Sequence, residues 1–161
     1  MVTKEFLVGL LSEIPDPEIP VITIKDLGIL REVEMGKDSC SVTITPTYSG
    51  CPAMRLIEDQ IRDVLSGQGI KNIQVNMSYS PAWTTDWISD EAREKLRKYG
   101  IAPPEHTSVD KGILMGKSTF PACPQCKSIN TELISQFGST ACKALYRCKD
   151  CREPFDYFKC I

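Results

Sequence analysis

The stretch "CSVTITPTYSGCPAMRLIEDQIRDVLS", residues 40–66, changes period half-way, and that change decides the fold. Its first half alternates. Cys40, Val42 and Ile44 fall on one face and Ser41, Thr43 and Thr45 on the other, which is the two-residue period of a strand. Its second half carries Met54, Ile57, Ile61 and Val64 at helical spacing, and "SGQG" from residue 66 ends the run. Pro52 suits a first helical position, because its missing N–H would find no partner there anyway. A strand, a tight turn and a helix therefore follow one another, with Cys51 in the turn.

Working outward, residues 3–12 read as a short helix capped by Thr3, with Phe6, Leu7, Leu10 and Leu11 on one face. "PDPEIP" then stops it, since three prolines in six residues cannot continue a helix. "ILREVEM" (29–35) alternates roughly and reads as a strand, and "GKDS" turns the chain into the strand at Cys40. Downstream, "IKNIQVNMSY" (70–79) is a third strand. "SDEAREKLRKYG" (89–100) is a helix with Ser89 as cap, acids in its first turn, bases in its last and Gly100 as its stop. The order α-β-β-α-β-α predicts a small α+β domain with helices packed on a three-stranded sheet, over residues 1–104. A linker is expected over 105–120, after the Pro103-Pro104 pair, and a separate cysteine-rich module over 121–161.

Composition narrows the class. With 161 residues, 42% apolar, 25% charged and a formal charge of −2, the chain reads as soluble and globular, with no positive field to favour nucleic acid or anionic lipid. "FLVGLL", flanked by acids, is too short for a secretory signal, and no run approaches a membrane span. The expected location is the cytoplasm, and neither a membrane nor a nucleic acid is expected as partner. Eight cysteines without an export signal, six of them in the last 39 residues, point to metal rather than disulfides.

Those six include Cys123 and Cys126 in "CPQC" and Cys148 and Cys151 in "CKDC", giving C-x2-C-x21-C-x2-C. Two such knuckles close a tetrahedral thiolate site around structural zinc with no open position. The spacer "TELISQFGSTACKALYR" fills with a hairpin turning at "FGST", and "EPFDYF" supplies a third strand. That is a zinc-ribbon pattern. Cys142 and Cys160 read as small hydrophobic thiols within it, although either could replace a ligand, and tetrahedral sulfur also suits iron. From Pro121 onward six Lys/Arg face four Asp/Glu, and four thiolates with one Zn²⁺ would cancel that margin. The basic footprint for phosphate is missing, so a protein partner is expected.

Cys40, on the apolar face of its strand, reads as core. Cys51 is different. With Pro52 opening the helix, Cys51 stands at the N-cap, where the helix dipole and unpaired N–H groups favour a thiolate and lower its pKa. A plain cap, a reactive thiol and a metal ligand all remain open on these residues alone. His106 in the linker is the sole histidine and reads as a solvated loop residue, so cysteine-protease chemistry is not expected. Carboxylates are better supplied: Asp16 and Glu18 in "DPEIP" and Asp26 in "DLG" serve either turn chemistry or an exposed, incomplete metal site.

"DPEIPVITIKDLGIL", "TYSGCP" and "WTTDWISDEAREKLRKYGIAPP" together closely resemble the iron–sulfur assembly factors that include SufT and the cytosolic iron–sulfur targeting proteins. Within that family the chain is similar to the branch from the phenylacetyl-CoA epoxidase operon of aerobic phenylacetate breakdown, whose members also carry a cysteine-rich tail. The resemblance implies an accessory role in iron–sulfur or di-iron cofactor maturation, without turnover of phenylacetyl-CoA. It implies the epoxidase components as partners, above all the iron–sulfur reductase. The family's reactive cysteine matches Cys51, its acidic motif Asp16, Pro17 and Glu18, its threonine Thr47, and the aspartate of its "DLG" Asp26. Transient iron or an iron–sulfur cluster is the cargo implied, and self-association through Cys51-bridged clusters is left open. Trp83 and Trp87, in the branch's "WTTDW", read either as core or as anchors for a partner.

Overall fold

The structure is a computed structural model that describes residues 2–104 and 120–159. Its contacts divide the chain into two compact units, residues 1–83 and 84–161. The expected linker over 105–120 lies almost wholly outside the described residues, as do His106 and Cys160.

The first unit opens with α1 (Lys4–Ser12), whose Thr3 hydroxyl accepts from the Phe6 N–H at 3.2 Å. Leu7 and Leu11 are fully buried, whereas Phe6 is half exposed. The buried stripe is thus narrower than the four-residue face read from the sequence. Strands β1 (Leu30–Met35) and β2 (Ser39–Ile44) form an antiparallel hairpin in which Val33 faces Val42 and Met35 faces Cys40. Helix α2 (Ala53–Gly67) then carries the chain across to β3 (Asn72–Met77), which lies parallel to β2. The sheet order is β1-β2-β3. Cys40, Val42 and Ile44 are buried, as their alternation requires, and Cys40 is a core residue. On α2 the buried set is Ala53, Met54, Ile57, Ile61 and Leu65, so Leu65 replaces the expected Val64 at the last turn.

Between α1 and β1 the chain makes a long loop held by its own apolar residues. Ile19, Ile22, Ile24, Leu27 and Ile29 are all buried to within 1%. The loop is closed on itself by a bridge between Pro15 and Thr23, by Asp16 N–H donating to Ile22 O at 2.9 Å, and by Ile24 N–H donating to Ile14 O at 3.0 Å. Trp83 belongs to this core: it is 7% exposed and its Nε1 donates to Leu27 O at 2.7 Å. That settles Trp83 as core, not partner anchor. Trp83→Phe should cost about 1–3 kcal/mol in the denaturant unfolding of the first unit, because it strands a buried carbonyl. An unchanged midpoint would show that the carbonyl finds another donor.

The second unit begins with a single 3-10 turn (Thr85–Trp87) and α3 (Asp90–Tyr99). Ser89 Oγ accepts from Ala92 N–H at 3.1 Å, and Gly100 ends the helix at φ +96°, a conformation that favours glycine. Next come β4 (Ile101–Ala102), β5 (Thr131–Ser135), β6 (Lys143–Cys148) and β7 (Pro154–Phe158). They form one sheet in the order β4-β7-β6-β5. The three ribbon strands match the sequence reading; β4 has no counterpart there. Ile101 pairs with Asp156 and Ala102 with Tyr157 in parallel, so the residues after α3 are built into the ribbon's sheet. By contacts, the division of the chain therefore falls between Trp83 and Thr84, ahead of the proline pair at 103–104.

Candidate functional sites: a thiol beside an acidic loop, and a four-cysteine cluster

The thiol of Cys51 sits where β2 has ended and α2 has not begun. Gly50 takes φ +80° to make the turn, which a side chain would strain. Cys51 N–H donates to Tyr48 O and Met54 N–H to Cys51 O, both at 3.3 Å. Pro52 already has helical angles and no side chain caps the helix, so Cys51 lies one residue before the cap position. Its sulfur nonetheless accepts from the Ala53 N–H and meets the Tyr48 hydroxyl. The Tyr48 contact was not anticipated, although Tyr48 stands inside the "TYSGCP" motif.

The expected lowering of the Cys51 pKa does not occur. Burial pushes the thiol above its usual 9.0, the Glu18 and Asp16 charges add to the rise, and the Ala53 N–H and Tyr48 hydroxyl oppose it only in part. Cys51 is half-buried rather than exposed. The same result carries a positive finding: both carboxylates of the acidic motif lie close enough to act on the sulfur through the field. Asp16 is 6% exposed, and its Oδ1 accepts from the N–H groups of Glu18 at 2.9 Å and Ile19 at 2.8 Å. That Asx-type turn aims the loop. Asp26 is engaged differently, exchanging hydrogen bonds with Thr23, whose N–H meets Asp26 Oδ2 and whose Oγ1 accepts from the Asp26 N–H, each at 3.1 Å. Thr47 is half-buried in the loop that leads to Cys51.

Beside Cys51 opens a shallow hollow of about 380 Å³, lined by Met54, Arg55, Glu58, Met77 and Tyr79 among others. The sign of the shift sets a pH prediction. A thiol raised above 9.0 is protonated at neutral pH, so alkylation of Cys51 should be slower at pH 7 than that of an ordinary exposed cysteine and should climb through and beyond pH 9. Glu18→Gln removes one raising charge and should speed the reaction at pH 8. Alkylation already saturating below pH 8 in the parent would contradict the buried, acid-flanked setting.

In the ribbon, the Sγ atoms of Cys123, Cys126, Cys148 and Cys151 all lie within 4.8 Å of one another. Cys123 and Cys151 approach to 3.7 Å, Cys126 and Cys148 to 3.5 Å. Tetrahedral Zn–S bonds of about 2.3 Å give sulfur–sulfur edges of about 3.8 Å, so the donor set fits that ion. Each knuckle turns through a left-handed residue just after its second cysteine, Lys127 at φ 64° and Arg152 at φ 65°. Backbone N–H groups of Ser128, Cys151, Asp150 and Glu153 reach the sulfurs. The two knuckles are tied by Asp150, which accepts from Asn130 Nδ2 at 2.8 Å and from the Ser128 hydroxyl. The Cys148 thiol is drawn down to about 7 by the Cys151 N–H, while Cys151, despite the Glu153 N–H, is held at about 12 by burial and the neighbouring sulfurs. Cys142 is buried outside this group, with its sulfur 3.0 Å from the Thr140 hydroxyl, as expected of a packing thiol.

Residues 108–159 match the PaaD zinc beta ribbon domain and residues 4–77 the domain of iron-sulfur cluster assembly proteins. Over 153 residues the chain is 53% identical to a putative 1,2-phenylacetyl-CoA epoxidase component of Escherichia coli, covering 95% of this chain and 90% of that protein. The chain belongs to the PaaD family. It is also 38% identical over 96 residues to an Fe-S protein maturation auxiliary factor of Porphyromonas gingivalis, covering 58% of this chain and 90% of that one. Among solved structures it resembles a domain of unknown function (DUF59) from Bacillus anthracis, with TM-score 0.53, 28% identity, and coverage of 58% of this chain and 90% of that one. PaaD membership thus joins an assembly-type domain carrying Cys51 to a cysteine-ligand ribbon. No helix among the described residues is long and apolar enough to cross a membrane.

Proposed function

We propose that this chain is a cytoplasmic accessory factor that helps the phenylacetyl-CoA epoxidase complex, above all its iron–sulfur reductase, acquire its iron–sulfur or di-iron cofactor. The observation that supports the reading is that the charges of Asp16 and Glu18, in the acidic loop, act on the Cys51 sulfur. Two anions beside a protonated thiol make a site short of positive charge. An iron ion or cluster arriving as cargo would take the place of the thiol proton, bond the sulfur, and offset both carboxylates. Asp26, through its bonds to Thr23, holds its own loop, Thr47 stands in the loop that leads to Cys51, and no intrinsic turnover is required. The four-cysteine cluster holds structural Zn²⁺, whose part is to fold the ribbon.

A second reading has its own support. Ile129, Leu133, Ile134 and Phe137 of the ribbon are exposed, as a docking surface for a protein would be. On that reading the ribbon binds the epoxidase and Cys51 carries no metal. Zinc, iron and acid-labile sulfide per chain separate the two in anaerobically purified protein, wild type beside Cys51→Ser. The carrier reading expects zinc in both, with iron and sulfide in the wild type alone. Zinc alone in both would transfer the function to docking.

A further inference from the structure

Helix α3 carries a buried arginine that neither reading uses. Arg93 is 5% exposed. Its Nη2 donates to Thr85 O at 2.7 Å and its other terminal nitrogen to Pro104 O, but its buried Nε has no partner among the described residues. Both acceptors are neutral carbonyls. A guanidinium withdrawn from water with no anion paired to it among the described residues and one N–H left over is costly, and such a group is stabilised by a negative partner.

Arg93 also lines an open hollow of about 730 Å³ within the second unit, floored by Pro103 and Pro104 and reaching Pro124 of the first knuckle. Arg97, Lys98 and Lys127 line the same hollow, as do Asp90 and Glu94. Glu94 is occupied with Arg97 at 3.2 Å. Four cations against two carboxylates leave the lining positive, while the whole chain is negative. Arg97 and Lys98 also suit the end of α3, where cations offset the helix dipole. That account does not reach Arg93, which lies mid-helix, or Lys127, which lies on another element.

We infer that this hollow binds a small oxyanion, a phosphate group or a carboxylate, held by Arg93 with Lys98 and Lys127. Arginine and lysine recognise both groups by charge-assisted hydrogen bonds, and an anion here would offset the charge of Arg93, whose own bonds go to neutral carbonyls. The site is independent of Cys51, so its failure would leave the maturation reading untouched.

The test uses the full chain loaded with zinc. Thermal unfolding is followed as inorganic phosphate, and separately acetate, replaces chloride at constant ionic strength, with phosphate binding also read by ³¹P NMR. Lys98→Ala/Lys127→Ala changes two exposed side chains and should fold and keep its zinc. Saturable stabilisation of the wild type is expected, with apparent affinity falling about tenfold or more in the double variant. Phosphate acting alone assigns a phosphate-bearing ligand; both anions acting assign a general carboxylate or phosphate site. No saturable effect of either anion, or an equal effect on wild type and variant, overturns the proposal.

Discussion

On the proposed carrier reading, Cys51→Ser should leave the protein folded and reduce maturation of the epoxidase's iron–sulfur reductase to background. The substitution nearly conserves volume, and a hydroxyl can still meet the Ala53 N–H and the Tyr48 hydroxyl that the sulfur now meets. Burial, which raises the thiol, is no obstacle to a neutral serine. What is lost is the soft, ionisable donor. Serine oxygen does not give up its proton to iron near neutral pH, whereas a cysteine thiol does so once a cation is at hand. The readout is iron and sulfide in reductase purified from cells that carry either version of the chain. Full cluster occupancy with Cys51→Ser would end the case for a working thiol, and the docking reading would stand.

Removing the metal should have the larger effect on structure. One apolar cluster in the core of the second unit comprises Ala102, Cys123, Ala144, Cys148, Phe155 and Tyr157, with Tyr146 packed against it. Two of those six belong to the four-cysteine group, so this cluster is continuous with the candidate metal site. Structural zinc contributes about 10–16 kcal/mol of binding free energy in small ribbons and fingers, as much as a whole domain's net stability. Chelation, or Cys148→Ser, should therefore abolish hydrogen-exchange protection in β5, β6 and β7 while α1, α2 and β1–β3 keep theirs. The two antiparallel pairings of the ribbon, β5–β6 and β6–β7, pack on this cluster through Ala144, Cys148, Phe155 and Tyr157. Retained protection after complete metal loss would mean that the aromatic cluster of Tyr146, Phe155 and Tyr157 suffices.

Much of this was legible in the chain because the signals were local. The alternation at Cys40, Val42 and Ile44, the proline at 52, the Ser89 cap, the Gly100 stop and the two C-x2-C pairs each act through neighbours a few residues away. The paired cysteines also reported a long-range fact, since four thiols at that spacing have one economical arrangement. What was not legible depends on residues distant in sequence. Nothing near Trp83 announces Leu27 O as its partner, and a two-residue strand such as β4 has no period to detect. The Cys51 pKa was read from the helix end alone, which would lower it. Asp16 and Glu18, some thirty residues upstream, and burial itself reverse the sign. The buried Arg93 was hidden for a similar reason: in sequence it is one more base on a charged helix.

The pairing of Ile101 and Ala102 with β7 bears on how this protein can be taken apart. A ribbon excised after Pro104 would lose β4 and leave β7 as a bare outer strand, with unpaired N–H and C=O groups open to another chain. A ribbon that begins at Thr84 keeps that edge covered and takes α3 with it. Transplanting the module onto another assembly domain should therefore be done at the Trp83–Thr84 junction, where the graft carries its own edge strand, and not at the prolines that look like the natural seam.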